Sequence, residues 1–131
     1  MTRLACKILA LSLGVMIAGE TAASARIVAQ AGLASWYGEE HRGKLMANGR
    51  KFDPDKFTAA SWFYPLGAKV RVTSKSDDNS TRSVLVTITD RGPNPDFVKA
   101  GRIIDLSHAP FKRLAPPDRG LVSVTVRPVR K

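Results

Sequence analysis

The chain has 131 residues, 21 Lys and Arg against 11 Asp and Glu, a net charge of +10 and 44% hydrophobic residues. Length and balance describe one folded domain and exclude a disordered chain. The lone Cys6 excludes an internal disulfide and a zinc site built on thiolates.

In chain order, the first segment reads as an address. Arg3 and Lys7 precede the apolar run Ile8 to Ala18, which has 11 residues and is too short to span a bilayer of about 20 residues. Ala23-Ser24-Ala25 closes it in the pattern of a secretory signal peptide cut after Ala25. The alternative is an uncut membrane anchor. Cys6 precedes the apolar run, so a lipid-bearing Cys in the usual place is absent and no stable membrane anchor is expected. Residues 1–25 are thus expected to be the signal peptide and 26–131 the domain. Cleavage removes Arg3, Lys7 and Glu20 and leaves 106 residues with 19 bases and 10 acids, a charge of +9. An exported, cell-wall-associated or periplasmic protein of that charge is expected to meet an anionic envelope polymer. Nucleic acid is not expected, because the bases are scattered along the chain.

The rest is dominated by strand patterns. Gly32 to Tyr37 is a plausible short strand. Asp53-Pro54-Asp55 predicts a one-turn helix running toward Ala60. Lys69 to Thr73 and Arg82 to Thr89 alternate apolar and polar residues, with Val70, Val72, Val84, Val86 and Ile88 inward. The polar stretch Ser74 to Thr81 between them predicts a hairpin. Gly101 to Leu106 is another short strand, Ser107 a cap for a helix through Leu114, and Val122 to Val126 a last alternating strand. Many short strands with one or two short helices predict a small, mainly β barrel.

Three stretches carry more chemistry than a scaffold needs: GLASWYGEEHRGKLMANG (32–49), TAASWFYPLG (58–67) and DRGPNPDFVKAGRIIDLS (90–107). In kind and order these resemble the RlpA family of exported bacterial proteins. The resemblance implies a six-stranded double-psi β-barrel. It also implies lytic transglycosylase activity on peptidoglycan, cleaving the MurNAc–GlcNAc bond to leave a 1,6-anhydro end. That reaction needs one carboxyl group that first gives and then takes a proton, and its pKa must be raised by burial or a like charge. Asp90, opening a Gly-Pro turn, and Asp105, inside an apolar run, match the family's Asp positions. One is expected to be the acid and base and the other to tune it or hold a sugar hydroxyl.

The sequence also departs from the family. Its functional Glu position holds Arg50 and its His position holds Ser61; Arg42 and Met46 are further departures. Arg50 is expected to ion-pair Asp90. Glu39, Glu40 and His41 are the nearby groups able to stand in, though a Glu pair and a lone His on a loop are ordinarily just solvated. The alternative reading is therefore a non-catalytic, expansin-like glycan-binding barrel. For either reading the expected glycan contacts are Tyr37, Asn48, Arg50, Ser61, Trp62, Tyr64, Arg91 and Arg102, with Trp62 and Tyr64 as exposed sugar platforms and Trp36 packed inside. No cofactor is implied, no metal spacing is present, and a monomer is expected.

Overall fold

The computed structural model describes residues 29–130. The expected signal peptide lies outside the described residues.

Six strands close on themselves. They are β1 (Gln30–Tyr37), β2 (Thr58–Ala60), β3 (Lys69–Lys75), β4 (Thr81–Asp90), β5 (Arg102–Ser107) and β6 (Val122–Pro128), in the order β1-β5-β2-β4-β3-β6 around the barrel. β1–β5 and β2–β4 run parallel and the other four pairings antiparallel. The predicted hairpin is β3–β4, paired from Lys69↔Thr87 to Lys75↔Thr81.

Alternation decides which side chains fill the barrel. Val70 and Val72, Val84, Val86 and Ile88, Ile104 and Leu106, and Val122, Val124 and Val126 are all buried in one cluster. Helix α2 (His108–Leu114) seats Phe111 and Leu114 in the same cluster, so side chains occupy the interior as a barrel this narrow requires. Trp36 packs against the cluster, as expected, and its indole N–H donates to Pro117 O at 2.9 Å.

Three local expectations change. Residues 53–57 form a turn leading into β2, not a helix. Ser107 stands at the N-terminus of α2 without a side-chain cap; its hydroxyl donates to Thr58 O at 2.7 Å and so ties β5 to β2. A short helix that alternation did not reveal, α1 (Pro95–Lys99), is capped by the Asn94 side chain, which accepts from Asp96 N at 2.9 Å.

Two register shifts place the functional residues. β1–β5 slips between Leu33 and Ala34, where Leu33 faces Arg102 and Ala34 faces Ile104, so Ile103 is the extra residue. β2–β4 slips between Ala59 and Ala60, where Thr89 is extra. A bulge turns every later side chain to the opposite face. Without the second shift, Asp90 would continue the inward series of Val84, Val86 and Ile88.

Candidate active site

Ala60 pairs with Asp90 on one side and Asp105 on the other, and Asp105 pairs with Ser35. Cross-strand partners share a face. The neighbouring row, Trp36, Leu106, Ala59 and Ile88, lies in or packs against the core, so Ser35, Asp105, Ala60 and Asp90 form a row on the outer face. The loop 38–57 folds over this row. It is closed by a Leu45–Lys51 bridge and by Gly49 at φ +85, a conformation that favours glycine.

The two carboxylates have different surroundings. Asp105 accepts a hydrogen bond from the Ser35 hydroxyl. Burial pushes its pKa up, and the Ser35 hydroxyl and the charges of Arg102 and His41 offset this only in part. Asp90 Oδ1 accepts from Ala47 N at 2.9 Å and from Arg91 N at 2.8 Å, so it pins the overlying loop to the strand end. Gly92 lies beside Ala60 and Asp105, since a Cβ there would stand 3.4 Å from Ala60 Cβ and 3.6 Å from Asp105 Oδ2. Small residues at 60 and 92 leave Asp105 approachable.

Tyr37 lies next to the row, two residues beyond Ser35 on the same face of β1 and paired with Ser107. Its ring stacks on Phe52 at 4.3 Å and meets the His41 ring edge-on at 5.5 Å. Burial, then the Asp90 and Asp105 charges, hold its phenol far above the usual range, so the hydroxyl is a neutral donor at any physiological pH. Its oxygen is buried and has no hydrogen-bond partner among the described residues. Such a group costs about 1–3 kcal/mol. Tyr37→Phe is therefore expected to stabilise the free protein by about 1 kcal/mol in urea titration while weakening glycan binding.

The other expected contacts divide. Trp62 is 52% exposed and its indole N–H donates to Pro93 O at 2.6 Å, which fixes a free ring face beside the site. Asn48 is exposed, with its side-chain oxygen accepting from Arg50 N at 3.0 Å. Arg102 stacks its guanidinium 4.1 Å from the Phe97 ring centre.

Three expectations are corrected. Ser61 is fully buried, donates to Ile103 O at 3.2 Å and accepts from Phe63 N at 3.1 Å. Tyr64 is buried in the core cluster, with its hydroxyl donating to Val126 O at 3.4 Å; of the Trp62–Tyr64 run it is the member that points inward. Arg91 Nη1 donates to Ser61 O at 2.7 Å and Tyr64 O at 2.6 Å, so this guanidinium holds the loop and faces no groove.

Nor does Arg50 pair with Asp90. It is exposed, and among the described residues no ion pair includes it. Glu39 is held by Arg42 at 2.6 Å, a hydrogen bond that lowers its pKa, the wrong direction for a general acid. Glu40, fully exposed, is likewise shifted down, by backbone amides and by His41. Sequence reading missed Ser35, Ala60, Phe52 and Gly92. Ser35 alone left a signal, two residues before Tyr37 on an alternating strand.

The sequence pattern of the family described as lytic transglycolase matches residues 29–126. The chain belongs to this family, that of the RlpA proteins. It is 47% identical over 85 residues to the endolytic peptidoglycan transglycosylase RlpA of Yersinia pestis, covering 65% of this chain and 22% of that one. Identity to the RlpA of Pseudomonas aeruginosa strain PAO1 is 41% over 102 residues, 78% of this chain and 28% of the relative. The chain thus spans about a quarter of the length of these relatives. Among solved structures it is similar to the Streptomyces papain inhibitor, with TM-score 0.56, 29% identity and coverage of 78% and 94% of the two chains. It is also similar to a variant of Clavibacter michiganensis expansin in complex with cellohexaose, with TM-score 0.56, 18% identity and coverage of 78% and 50%. The expected double-psi β-barrel is the fold of this lytic transglycolase member.

Proposed function

We propose that the chain is a peptidoglycan lytic transglycosylase of RlpA type, cleaving MurNAc–GlcNAc β-1,4 bonds to 1,6-anhydro ends, with Asp105 as general acid and base. The observation that carries this reading is the half-buried Asp105 carboxyl, raised in pKa by desolvation, hydrogen-bonded to Ser35 and one strand from Asp90 across Ala60.

Asp105 gives its proton to the glycosidic oxygen as the C1–O bond breaks. The leaving GlcNAc keeps that proton as a hydroxyl. C1 of MurNAc becomes electron-poor, and the Asp90 carboxylate nearby favours the developing positive charge. The C6 hydroxyl of the same sugar then bonds to C1 and returns its proton to Asp105. The acid is regenerated and no water is consumed. Tyr37 O–H is placed to donate to a sugar oxygen, and the Trp62 face to stack on a neighbouring sugar. Asn48 and Arg102 border the row as further polar contacts.

A second reading, an expansin-like barrel that binds glycan without cutting it, is favoured by Arg50 and Ser61, which supply neither acid nor accessible imidazole. The two separate in one assay: peptide-stripped peptidoglycan incubated with the protein and analysed by mass spectrometry. New 1,6-anhydro-MurNAc ends are expected. Glycan that pellets the protein but gains no such ends supports the binding module and overturns the lyase. On either reading we infer export through residues 1–25, a domain over 26–131, and action as a monomer on glycan strands outside the cytoplasm.

A further inference from the structure

Asp105 has an arginine for a neighbour. β5 opens on Arg102, which pairs with Leu33 of β1, while Asp105 pairs with Ser35. Leu33 pairs on its other side with the exposed Ser123, so Leu33 and Arg102 share the outer face with the active-site row. The bulge takes up Ile103 between them, and Ile103 and Ile104 are buried. Leu33 and Ser35 are two residues apart on β1. At the rise of a strand that is roughly 7 Å, so Arg102 stands one row from Asp105. Its charge is one of those that offset burial at that carboxyl.

The guanidinium is held flat but not paired. Its carbon lies 4.1 Å from the centre of the Phe97 ring on α1. The segment that carries α1 leaves Asp90, passes Asp105 at Gly92 and returns to β5 through Gly101 at φ +100. The charged side chains around Arg102 are Asp96 and Lys99 on α1 and Asp105 on its own strand; β1 contributes none. Among the described residues no ion pair includes Arg102. The Asp105 carboxylate accepts from Ser35 instead. A guanidinium carries its N–H donors in its plane, so stacking on a ring orders the fork and leaves its donors free.

The polymer of the proposed reaction alternates two sugars that differ at one place. MurNAc bears a 3-O-lactyl ether, ending in a carboxyl group, where GlcNAc bears a hydroxyl. A cut that leaves the anhydro ring on MurNAc must seat MurNAc, not GlcNAc, with its C1 at the acid. The lactyl arm is what a site can read to hold that register. A planar fork of fixed donors suits a carboxylate. Arg91 is not available for this, because its Nη1 donates to Ser61 O and Tyr64 O. We propose that Arg102, stacked on Phe97, is a specificity-determining residue that binds the lactyl carboxylate of MurNAc and so sets which glycosidic bond meets Asp105. Naming that sugar rests on the peptidoglycan reading above.

The test is calorimetric titration, which needs no turnover. Wild type and R102Q are compared, each beside a form that also carries Asp105→Asn and consumes no strand. The ligands are soluble peptide-stripped glycan strands, the same strands with their lactyl carboxylates reduced to alcohols, and chitin oligosaccharides of matching length. We expect wild type to bind the stripped strands on the order of tenfold more tightly than either of the other two. R102Q removes that preference, while its affinity for chitin oligosaccharides stays at the wild-type level and so reports a folded site. R102K keeps the charge without the fork and gives an intermediate preference. Equal binding of all three ligands by wild type, or a preference that survives R102Q, overturns the assignment. An R102Q variant that loses all three alike makes Arg102 a fastener of α1 on β5 and overturns it too. An Arg102-dependent preference in a protein that releases no anhydro ends keeps the assignment and discards only the cleavage reading.

Discussion

On the proposed mechanism Asp105→Asn is expected to abolish release of 1,6-anhydro ends, with turnover falling about a thousandfold, the scale of a lost general acid and base. Asparagine keeps the shape and can still accept from Ser35, so the barrel survives. It also carries no charge to bury. The folded-state pKa of Asp105 lies above its ordinary value because burial disfavours the carboxylate. The native state therefore holds this proton more tightly than the unfolded chain. Its ionisation subtracts stability as pH rises from the ordinary carboxylate range through the folded pKa. Above that range Asp105→Asn is relieved of the penalty, and its Tm should exceed that of wild type near pH 7. Near pH 3 the carboxyl is protonated in both states and the advantage should vanish. Calorimetry at the two pH values, beside the mass-spectrometric assay, checks both halves. An inactive Asn variant that is less stable at both pH values would make Asp105 a structural anchor, not a catalytic acid.

Asp90 separates two roles by two substitutions. Its Oδ1 holds Ala47 N and Arg91 N, tying the loop over the active-site row to the end of β4. Asp90→Asn keeps an acceptor for those amides. The fold and loop should persist while loss of the negative charge costs turnover about a hundredfold. Asp90→Ala leaves both N–H groups without their acceptor and should cost about 2 kcal/mol in denaturant unfolding as well. Faster proteolysis between residues 43 and 51 should accompany it. If Asp90→Asn retains full activity, Asp90 only positions the loop, and charge stabilisation at C1 falls to Asp105 alone.

Much of the barrel was legible because alternation in a strand reports directly on burial. Val70 and Val72, Val84 to Ile88, and Val122 to Val126 reach the interior as their spacing requires. Strand β2 has three residues, too few for a period to register, and α1 is a single turn with no buried residue. The site was legible as motifs but not as geometry. Asp90 and Asp105 stand out in the sequence as carboxylates in unusual company. Whether they face core or surface depends on the bulges at Thr89 and Ile103, which arise from the pairing of distant strands.

The same holds for the residues that moved. Ser61, Trp62, Phe63 and Tyr64 are consecutive, and no local rule says which two turn in. The two backbone carbonyls that Arg91 gathers, at Ser61 and Tyr64, help decide that. By itself the sequence determined a small, mainly β barrel with five of its strands, a basic surface, and the two aspartates; the count of six strands was what the family resemblance implied. The rest follows from composition and from alternation within a strand. The tertiary structure alone decided that Asp105 is half-buried with its pKa raised by desolvation, that Tyr37 lies close enough to feel its charge, and that Arg71 faces Arg127 across strands some 55 positions apart in sequence. Desolvation and charge proximity are properties of neighbours in space, and chain order does not contain them.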